Sequence, residues 1–416
     1  MSQQNSSRAY LIFFIGCFLY VYGYILRIFP STMTHELMLH FGVQAGGFGL
    51  MSAMFFYGYT PMQIPAGLLY DYLGTRILMS LAIFLCAAAT LIFGLTQVVY
   101  VAGLCRLLMG MSASFGFIGA LLLASRWLSR EHYPFWAGFV QLLGALGAIV
   151  GLTPVALLTH HYGWELTIYG TSAIGFMFVL LTLLIIRNQP QDLALSLQPH
   201  HTHIKEDLKI LFKNPQTWWI GVVAFGSWAP ISTFASLWGV PFMMATYHQA
   251  ATQAGSEISL IWIGVAIGSP LIGWLSNKIR SRKMPLMVSA IIATIASIGV
   301  LYMHGLPLMW MNVLLFLFGI GASSQMTTFA LVHDINSPRV MGTANGLNNM
   351  FVMLGGLLIQ PLVGFILNAV WDHKGFIDGV PAYTGHDFQQ ALFVIPLISI
   401  LTIVVSLFCI KETLKQ

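Results

Sequence analysis

The residues best suited to chemistry in this sequence are polar side chains inside long apolar segments. Tyr20, Tyr24, Arg27 and Ser31 follow i, i+4, i+7 and i+11 spacing, which places them on one face of a helix. A guanidinium presents a fixed fork of N–H donors that matches a carboxylate, and a tyrosine can stack or donate a hydrogen bond. We therefore interpret Arg27 as a candidate anchor for a carboxylate group.

Other polar and aromatic residues in apolar segments could complete a binding site. The candidates are Tyr57, Tyr59, Gln63, Trp228, Ser232, Gln325, Thr328, Asn345, Asn348 and Asn349. Tyr57 and Pro61 share one helix face and Tyr59 and Gln63 share another, so only one of these pairs can meet a cavity. Three asparagines over five positions are more than a lipid-facing surface tolerates, and an amino or amide group is a plausible ligand for them.

Catalytic and metal-binding patterns are absent from the apolar segments. They contain no Ser/His pair, no paired carboxylates and no His-Glu-x-x-His helix, which argues against an enzyme. The four cysteines have no CxxC spacing and are interpreted as small core residues. The cluster at 200–203 contains three histidines but no Cys or carboxylate at ligand spacing, so we interpret it as solvated linker. No metal and no cofactor are predicted.

The composition explains why these polar residues lie in apolar surroundings. Hydrophobic residues make up 57% of the 416 residues and charged residues 7%, whereas soluble domains carry about 25% charged residues. A helix that crosses a bilayer needs about 20 mainly apolar residues. Twelve such spans are predicted, at residues 10–33, 45–70, 77–96, 98–126, 134–158, 165–187, 217–246, 256–277, 284–303, 307–333, 340–369 and 388–410.

The basic residues fix the orientation of these spans. If the spans alternate, fifteen of the 18 basic residues share one face with both termini: Arg8, Arg76, Arg126, Arg130, Arg187, Lys205, Lys209, Lys213, Lys278, Arg280, Arg282, Lys283, Arg339, Lys411 and Lys415. Only Lys374 lies on the opposite face, and Arg27 and Arg106 lie inside spans. Basic residues near span ends stay cytoplasmic, so both termini are predicted to be cytoplasmic. The net charge of +5 is therefore a topology signal and does not indicate nucleic acid.

The chain divides into two similar halves. We predict a six-helix bundle over 1–187, a cytoplasmic linker over 188–216 with a short amphipathic helix at Ile204–Lys213, and a second bundle over 217–416. The segments 67–76 and 273–282 close spans 2 and 8 in a similar way, and Pro154 and Pro361 occupy nearly equivalent positions. Such internal symmetry is typical of transporters whose site lies between the halves.

The segment Gly67-Leu68-Leu69-Tyr70-Asp71-Tyr72-Leu73-Gly74-Thr75-Arg76 resembles the loop 2–3 signature of the major facilitator superfamily. Arg106 with Gly110 in span 4, and the glycines of span 5 with Pro154, are similar to further elements of that superfamily. The resemblance implies an all-α membrane protein with two pseudo-symmetric six-helix halves. It also implies that Asp71, framed by Gly67 and Gly74 and followed by Arg76, holds the cytoplasmic side shut. The alternative is that Asp71 has only a structural role and stabilises a turn.

Several other functional expectations concern gating and coupling. Asn277 stands where the second half would have the matching aspartate, so a latch there should use hydrogen bonds or the nearby basic cluster. Arg106 is expected to be structural or coupling, with direct ligand contact as the alternative. Glu257 is the best acidic candidate for proton coupling, with uniport left open. Glycines of spans 5 and 8, such as Gly144, Gly147 and Gly264, are expected to form sliding contacts between the halves or plain packing.

The segments 24–31 and 55–67 are similar to two branches of the superfamily, namely the phagosomal nutrient transporters of intracellular bacteria and the lysosomal dipeptide transporters. We therefore expect a monomeric carrier, in a bacterial inner membrane, of a small carboxylate-bearing nutrient such as an amino acid or short peptide. The alternatives are an organic-anion or carboxylate-siderophore transporter, a drug efflux carrier, and a transport-dead membrane sensor. For Arg27, the alternative is an arginine that extends to lipid headgroups or pairs with Glu36.

Overall fold

A computed structural model describes residues 3–128, 133–188, 204–303, 305–337, 340–373 and 375–414. The described chain is helical apart from loops and one short hairpin. In the first half the helices are α1 (Gln3–Ile28), α2 (Thr34–Phe41), α3 (Ala45–Tyr59), α4 (Pro65–Leu73), α5 (Thr75–Leu95), α6 (Val99–Ala113), α7 (Phe115–Trp127), α8 (Tyr133–Tyr162) and α9 (Trp164–Ile185).

The linker contains a helix, α10, over Ile204–Lys213, where the sequence predicts an amphipathic helix. The second half follows it. Its helices are α11 (Pro215–Thr233), α12 (Gly239–Tyr247), α13 (Ala251–Lys278), α14 (Lys283–Tyr302), α15 (Leu308–Ala322), α16 (Gln325–Ile335), α17 (Met341–Val370), α18 (Gly385–Ala391) and α19 (Val394–Phe408). Strands β1 (Phe376–Ile377) and β2 (Val380–Pro381) pair antiparallel between α17 and α18. A π-helical segment, Phe234–Trp238, joins α11 to α12.

These helices form the twelve predicted spans. Spans 1 to 6 are α1, α3 with α4, α5, α6 with α7, α8 and α9; spans 7 to 12 are α11 with α12, α13, α14, α15 with α16, α17, and α18 with α19. Eleven of these are long and apolar enough to cross a membrane within the described residues. Span 2 is the twelfth and is interrupted by a 3₁₀ turn at Pro61–Gln63. Pro61 and Pro65 have no backbone N–H to donate, which explains the break.

The two halves repeat the same packing. Span 1 packs on span 5, span 2 on span 4, and span 3 on span 6; in the second half span 7 packs on span 11, span 8 on span 10, and span 9 on span 12. The halves meet through spans 2 and 11 and through spans 5 and 8. The fold is therefore the predicted all-α membrane architecture of two pseudo-symmetric bundles.

Each half also ties its last span to its third span. The Arg76 N–H donates to Asn188 Oδ1 at 2.9 Å, and the N–H groups of Arg282 and Lys283 donate to the Glu412 carboxylate at 2.8 and 3.2 Å. The first N–H groups of a helix have no partner within the helix, so a side chain that accepts from them caps it. Asn188 and Glu412 thus perform equivalent caps in the two halves.

The expectation that Gly144, Gly147 and Gly264 form sliding contacts between the halves is wrong, and the alternative of plain packing applies to them. A Cβ at Gly144 would lie 2.7 Å from the Tyr20 ring, and one at Gly147 would lie 2.6 Å from the Val21 carbonyl oxygen. Gly264 packs in the same way on span 10. These glycines let helices approach closely within one half. Glycine spacing shows that a close approach exists, but it does not name the partner helix.

Candidate functional site

The outer ends of the two halves are packed together. The Phe48 ring of span 2 lies 5.7 Å from the Trp238 ring of span 7. Beside them, the Gly46 N–H donates to Asn368 Oδ1 at 3.3 Å. Gly255 at the outer end of span 8 packs on the backbone of span 5, where a Cβ would lie 3.5 Å from the Leu152 carbonyl carbon. Both interfaces between the halves are therefore closed on the outer side.

A cavity of about 640 Å³ lies between the halves on the cytoplasmic side of this closed layer. Its lining includes residues 135–145 near the cytoplasmic end of span 5 and 262–270 in the cytoplasmic half of span 8. Phe135, at the cytoplasmic end of span 5, is 63% exposed, so the cavity reaches that end of the helix. The cavity opens toward the cytoplasmic side beside spans 5 and 8 and has the volume of a small-molecule site.

Aromatic side chains from both halves line the inner part of this cavity. Tyr24 and Phe117 come from spans 1 and 4, and Trp228 and Trp262 come from spans 7 and 8. The Tyr24 and Trp262 rings are 5.7 Å apart and nearly perpendicular, and the Trp228 and Trp262 rings are 6.1 Å apart. Tyr24 and Trp228 are thus two predicted site residues that the structure brings together.

Arg27 lies directly behind Tyr24. Its guanidinium carbon is 4.5 Å from the centre of the Tyr24 ring and 4.9 Å from that of Tyr59, and the rings of Phe55 and Phe56 complete an aromatic enclosure. The side chain is 4% exposed. Among the described residues no carboxylate lies within ion-pair distance, and Nε has no hydrogen-bond partner. The arginine is held by cation–π contacts, and its Nε–H is left without a hydrogen-bond partner.

Arg106 is bound to the backbone of its neighbours. Its guanidinium donates to the carbonyl oxygen of Leu26, and at 3.4 Å to those of Arg27 and Ser52. The side chain is fully buried and does not line the cavity. This arginine joins span 4 to spans 1 and 2, which is the geometry of a positioning residue rather than of a ligand contact.

Some predicted site residues instead join the halves or pack inside one. The Asn349 amide donates to Gln63 Oε1 at 2.6 Å, across the interface of spans 2 and 11. Tyr20 donates to Gln141 Oε1 at 3.1 Å within the first half, and Asn348 donates to Thr328 Oγ1 at 3.0 Å within the second.

The face of span 2 that turns inward is the one with Tyr59 and Gln63. Both of these are buried, while Tyr57 is 39% exposed on the other face. Gln325 is buried beside the cavity residue Met326, and Asn345 is half-buried. Neither Gln325 nor Asn345 is among the described residues that line the cavity.

The predicted gating residues lie at the ends of spans. Gly74 has φ 76° and faces Asn188, so the cap described above needs a glycine there, whereas nothing lies within 4 Å of a Cβ at Gly67. Arg76 also donates from Nε to the Leu183 carbonyl at 2.8 Å. The side chain of Asp71 lies outside the described part of the structure.

Asn277 and Glu257 make hydrogen bonds within the second half. Arg282 donates to Asn277 Oδ1 at 2.8 Å and to Asp334 Oδ2 at 3.0 Å. Glu257 is 4% exposed near the outer end of span 8, where Oε1 accepts from Gln249 at 2.8 Å and from Gln253 at 3.3 Å. Glu257 is therefore remote from the cytoplasmic part of the cavity.

Sequence reasoning missed several cavity residues, among them Gln141, Phe117 and Trp262. Gln141 carried a signal, because an amide in an otherwise apolar span is costly where it faces lipid. The two aromatic residues carried none, since an aromatic side chain fits a lipid-facing surface as well as a cavity wall.

Known proteins resemble this chain along most of its length. It is 23% identical over 401 residues to a probable hexose phosphate transport protein of Chlamydia pneumoniae, covering 89% of this chain and 86% of that protein. It is also 23% identical over 411 residues to the membrane sensor protein UhpC of Salmonella typhimurium, covering 91% and 89%.

A solved structure shares the fold. It is that of a bacterial homolog of the human lysosomal transporter Spinster, in an inward-facing and unoccupied conformation, which superposes with a TM-score of 0.78 at 16% identity over 98% of this chain and 97% of the other. The family model described as Major Facilitator Superfamily matches residues 11–360. The chain is thus a multi-pass integral membrane transport protein that belongs to the Major Facilitator Superfamily.

Proposed function

We propose that this transporter carries a small carboxylate-bearing solute by alternating access, with Arg27 as the anchor of the carboxylate. The observation that supports the proposal most directly is the buried guanidinium with no carboxylate partner among the described residues. A buried charge without a counter-ion is costly, so an anionic ligand that supplied the counter-ion would gain free energy. A bidentate pair of carboxylate and guanidinium has the required geometry.

The cavity favours an organic anion over an amino acid. Among the described residues that line it, none is an Asp or Glu. The ammonium group of an amino acid would therefore lose its hydration without gaining a charged partner there. The hexose phosphate named for the Chlamydia relative is itself an anion. The resemblance to the phagosomal and lysosomal dipeptide branches is the reason to keep amino acids and short peptides in the test.

The remaining parts of the proposal concern the architecture. We assign 1–187 and 217–416 as the moving bundles and 188–216 as the cytoplasmic linker, in a monomer in the bacterial inner membrane. Asp71 would hold the cytoplasmic side shut in the outward-facing state. Asp71→Asn should then slow cycling while binding is retained, and normal turnover in that variant would remove this role.

The experiment is uptake into proteoliposomes that contain the purified full chain. The panel comprises simple carboxylates, hexose phosphates, amino acids and dipeptides, each with and without a proton gradient. We expect carboxylate uptake in the wild type, loss of at least about tenfold in Arg27→Ala, and unchanged uptake in Arg187→Ala, which removes an exposed cytoplasmic arginine. Full carboxylate uptake by a folded Arg27→Ala protein would overturn the anchor role.

The sensor relative supports a second candidate, a protein that binds its ligand without transporting it. The same proteoliposomes separate the two. Arg27-dependent binding without any uptake would favour a sensor, whereas concentrative or exchange uptake would exclude it.

A further inference from the structure

Aromatic side chains line the inner part of the cavity. Tyr24 and Phe117 of the first half and Trp228 and Trp262 of the second half all line it. The near-perpendicular pairs Tyr24 with Trp262 and Trp228 with Trp262 form a corner. The side chains of Trp228 and Trp262 are 2% and 1% exposed, so each presents a small part of its ring to the cavity, where the ring of a solute can make an edge-to-face contact. No charged residue is among the described residues that line the cavity.

The polar groups of the lining are few and partly occupied. Ser269 donates its hydroxyl to the Val265 carbonyl at 2.8 Å, and Gln141 Oε1 already accepts from Tyr20 at 3.1 Å. What remains is chiefly the Gln141 NH₂ group, because the Trp262 indole N–H is buried. A polyhydroxylated solute would bury several hydroxyls without partners, each at a cost in free energy. A flat apolar group has no hydroxyls to desolvate, so it would lose little free energy on entering the cavity and would gain contact with the aromatic rings.

Tyr24 separates this corner from the charge. Its ring lines the cavity on one side, and on the other side its centre lies 4.5 Å from the Arg27 guanidinium carbon. Arg27 itself is 4% exposed. A change of the Tyr24 rotamer would therefore exchange a cation–π contact for access to the guanidinium.

We infer that the substrate is an aromatic carboxylate, whose ring lies in the Trp228–Trp262 corner and whose carboxylate displaces the Tyr24 ring to reach Arg27. This inference rests on the proposed function and narrows it to one class of anion. It separates this protein from carriers of sugar phosphates by the chemistry of the cavity wall. An aliphatic acid would gain the charge contact but only part of the ring contact.

The test compares four probes on the full-length protein in detergent and in proteoliposomes. They are 3-phenylpropionate, 3-phenylpropionamide, hexanoate and glucose 6-phosphate, with binding measured by calorimetry and uptake by competition against labelled 3-phenylpropionate. We expect 3-phenylpropionate to bind at least about tenfold more tightly than each of the other three. 3-Phenylpropionamide shows whether binding needs the negative charge, and hexanoate shows whether it needs the aromatic ring. Glucose 6-phosphate shows whether the cavity accepts an anion with several hydroxyl groups.

Two substitutions sharpen the comparison. Trp262→Leu should weaken 3-phenylpropionate about tenfold but hexanoate only about twofold. Trp310→Leu, which alters a tryptophan that is 53% exposed at the outer end of α15, should leave both unchanged. Thermal melting shows whether each variant is folded, and Trp262→Phe, which keeps a ring, replaces Trp262→Leu if the latter is not.

The outcomes distinguish this inference from the proposed function. If hexanoate or glucose 6-phosphate binds as tightly as 3-phenylpropionate and depends on Arg27, the aromatic class is wrong and the anion carrier stands. If no anion shows binding that depends on Arg27, both are wrong. Tighter binding of 3-phenylpropionate that depends on Arg27 and on Trp262 establishes the inference.

Discussion

Asn368 of the second half caps a helix of the first half, because its Oδ1 accepts from the Gly46 N–H at 3.3 Å in the first turn of α3. The Tyr383 hydroxyl accepts from the neighbouring Ala45 N–H at 3.2 Å and donates to Asn368 Oδ1 at 2.8 Å. Gln44, which precedes α3, makes no side-chain cap of its own. Opening the outer side must therefore leave these N–H groups to water.

Removing the hydrogen bond between the Ala45 N–H and the Tyr383 hydroxyl should shift the protein toward its outward-open state. Tyr383→Phe loses one hydrogen bond between the halves, worth about 0.5–1.5 kcal/mol, which changes the population ratio by about two- to tenfold. The measurement is the rate at which Thr32→Cys, buried at the outer end of span 1, reacts with an impermeant maleimide. The matched control is Tyr302→Phe, whose lost bond to the Gln389 carbonyl at 3.1 Å lies within the second half. Equal labelling in both variants would contradict the cap as a latch.

Substitution of Arg106 should destabilise the protein more than substitution of Arg27. Arg106→Gln leaves carbonyl groups of Leu26, Arg27 and Ser52 without their donor, at about 1–3 kcal/mol for each buried group that finds no other partner. Arg27→Ala loses cation–π contacts but also removes a buried charge that has no carboxylate partner among the described residues, so the two effects offset each other and the loss of stability should be smaller. Thermal melting in detergent compares the two. A larger loss of stability in Arg27→Ala than in Arg106→Gln would refute this assignment.

Spans 2 and 4 should not tolerate a methyl group at their crossing. A Cβ at Gly110 would overlap the Phe55 carbonyl oxygen, and backbone cannot move aside without shifting a whole helix. We expect Gly110→Ala to destabilise the protein by about 1–3 kcal/mol. Gly170→Ala on span 6, where nothing lies within 4 Å, should be neutral or stabilising because alanine favours helix. Melting temperatures in detergent give the comparison, and equal effects would contradict it.

The cap by Glu412 should make stability depend on acidity. Burial alone would raise the pKa of this carboxyl, but hydrogen bonds from the Arg282 N–H, the Ser281 hydroxyl and the Lys283 N–H lower its pKa to about 2 from the ordinary 4.5. A lowered pKa in the folded state means that the carboxylate stabilises the fold above pH 4.5 and that this contribution is lost between pH 4.5 and about 2.

Glu412→Gln should therefore melt at a lower temperature than the wild type at neutral pH, and the difference should shrink as the pH falls below 4.5. Scanning fluorimetry across this range measures both curves. Glu165→Gln makes the same charge change on an exposed residue at the start of α9 and should have a smaller effect. A constant difference between wild type and Glu412→Gln at all pH values would show that the carboxylate charge is not responsible.

The sequence predicted what depends on long apolar runs and on charge placement. Twelve spans, two halves and cytoplasmic termini follow from those patterns, since a long apolar helix satisfies its own backbone hydrogen bonds in lipid and basic residues near span ends stay cytoplasmic. Span 2 shows where this kind of prediction stops. Pro61 and Pro65 indicate that the helix is interrupted, but they do not predict that a 3₁₀ turn at Pro61–Gln63 links two separate helices.

The site was less predictable because it depends on which helix faces meet. Arg27 and Tyr24 stood out as polar groups at membrane depth. That Tyr24 lines the cavity while Arg27 lies behind it depends on the rotation of the helix about its axis, which the sequence does not fix. Trp262 had no distinguishing feature in the sequence. Gly147 carried a clear packing signal and still gave the wrong partner, since a small residue fits any close neighbour.

The lone guanidinium of Arg27 also has an electrical consequence. A monovalent anion bound there would cancel one positive charge, so the empty and the loaded carrier would differ by one unit at membrane depth. One unit of charge that crosses the whole field responds to the membrane potential by about 2.3 kcal/mol per 100 mV. The voltage across the bilayer would then act differently on the loaded and the empty half of the cycle, and transport would be electrogenic unless another ion compensates.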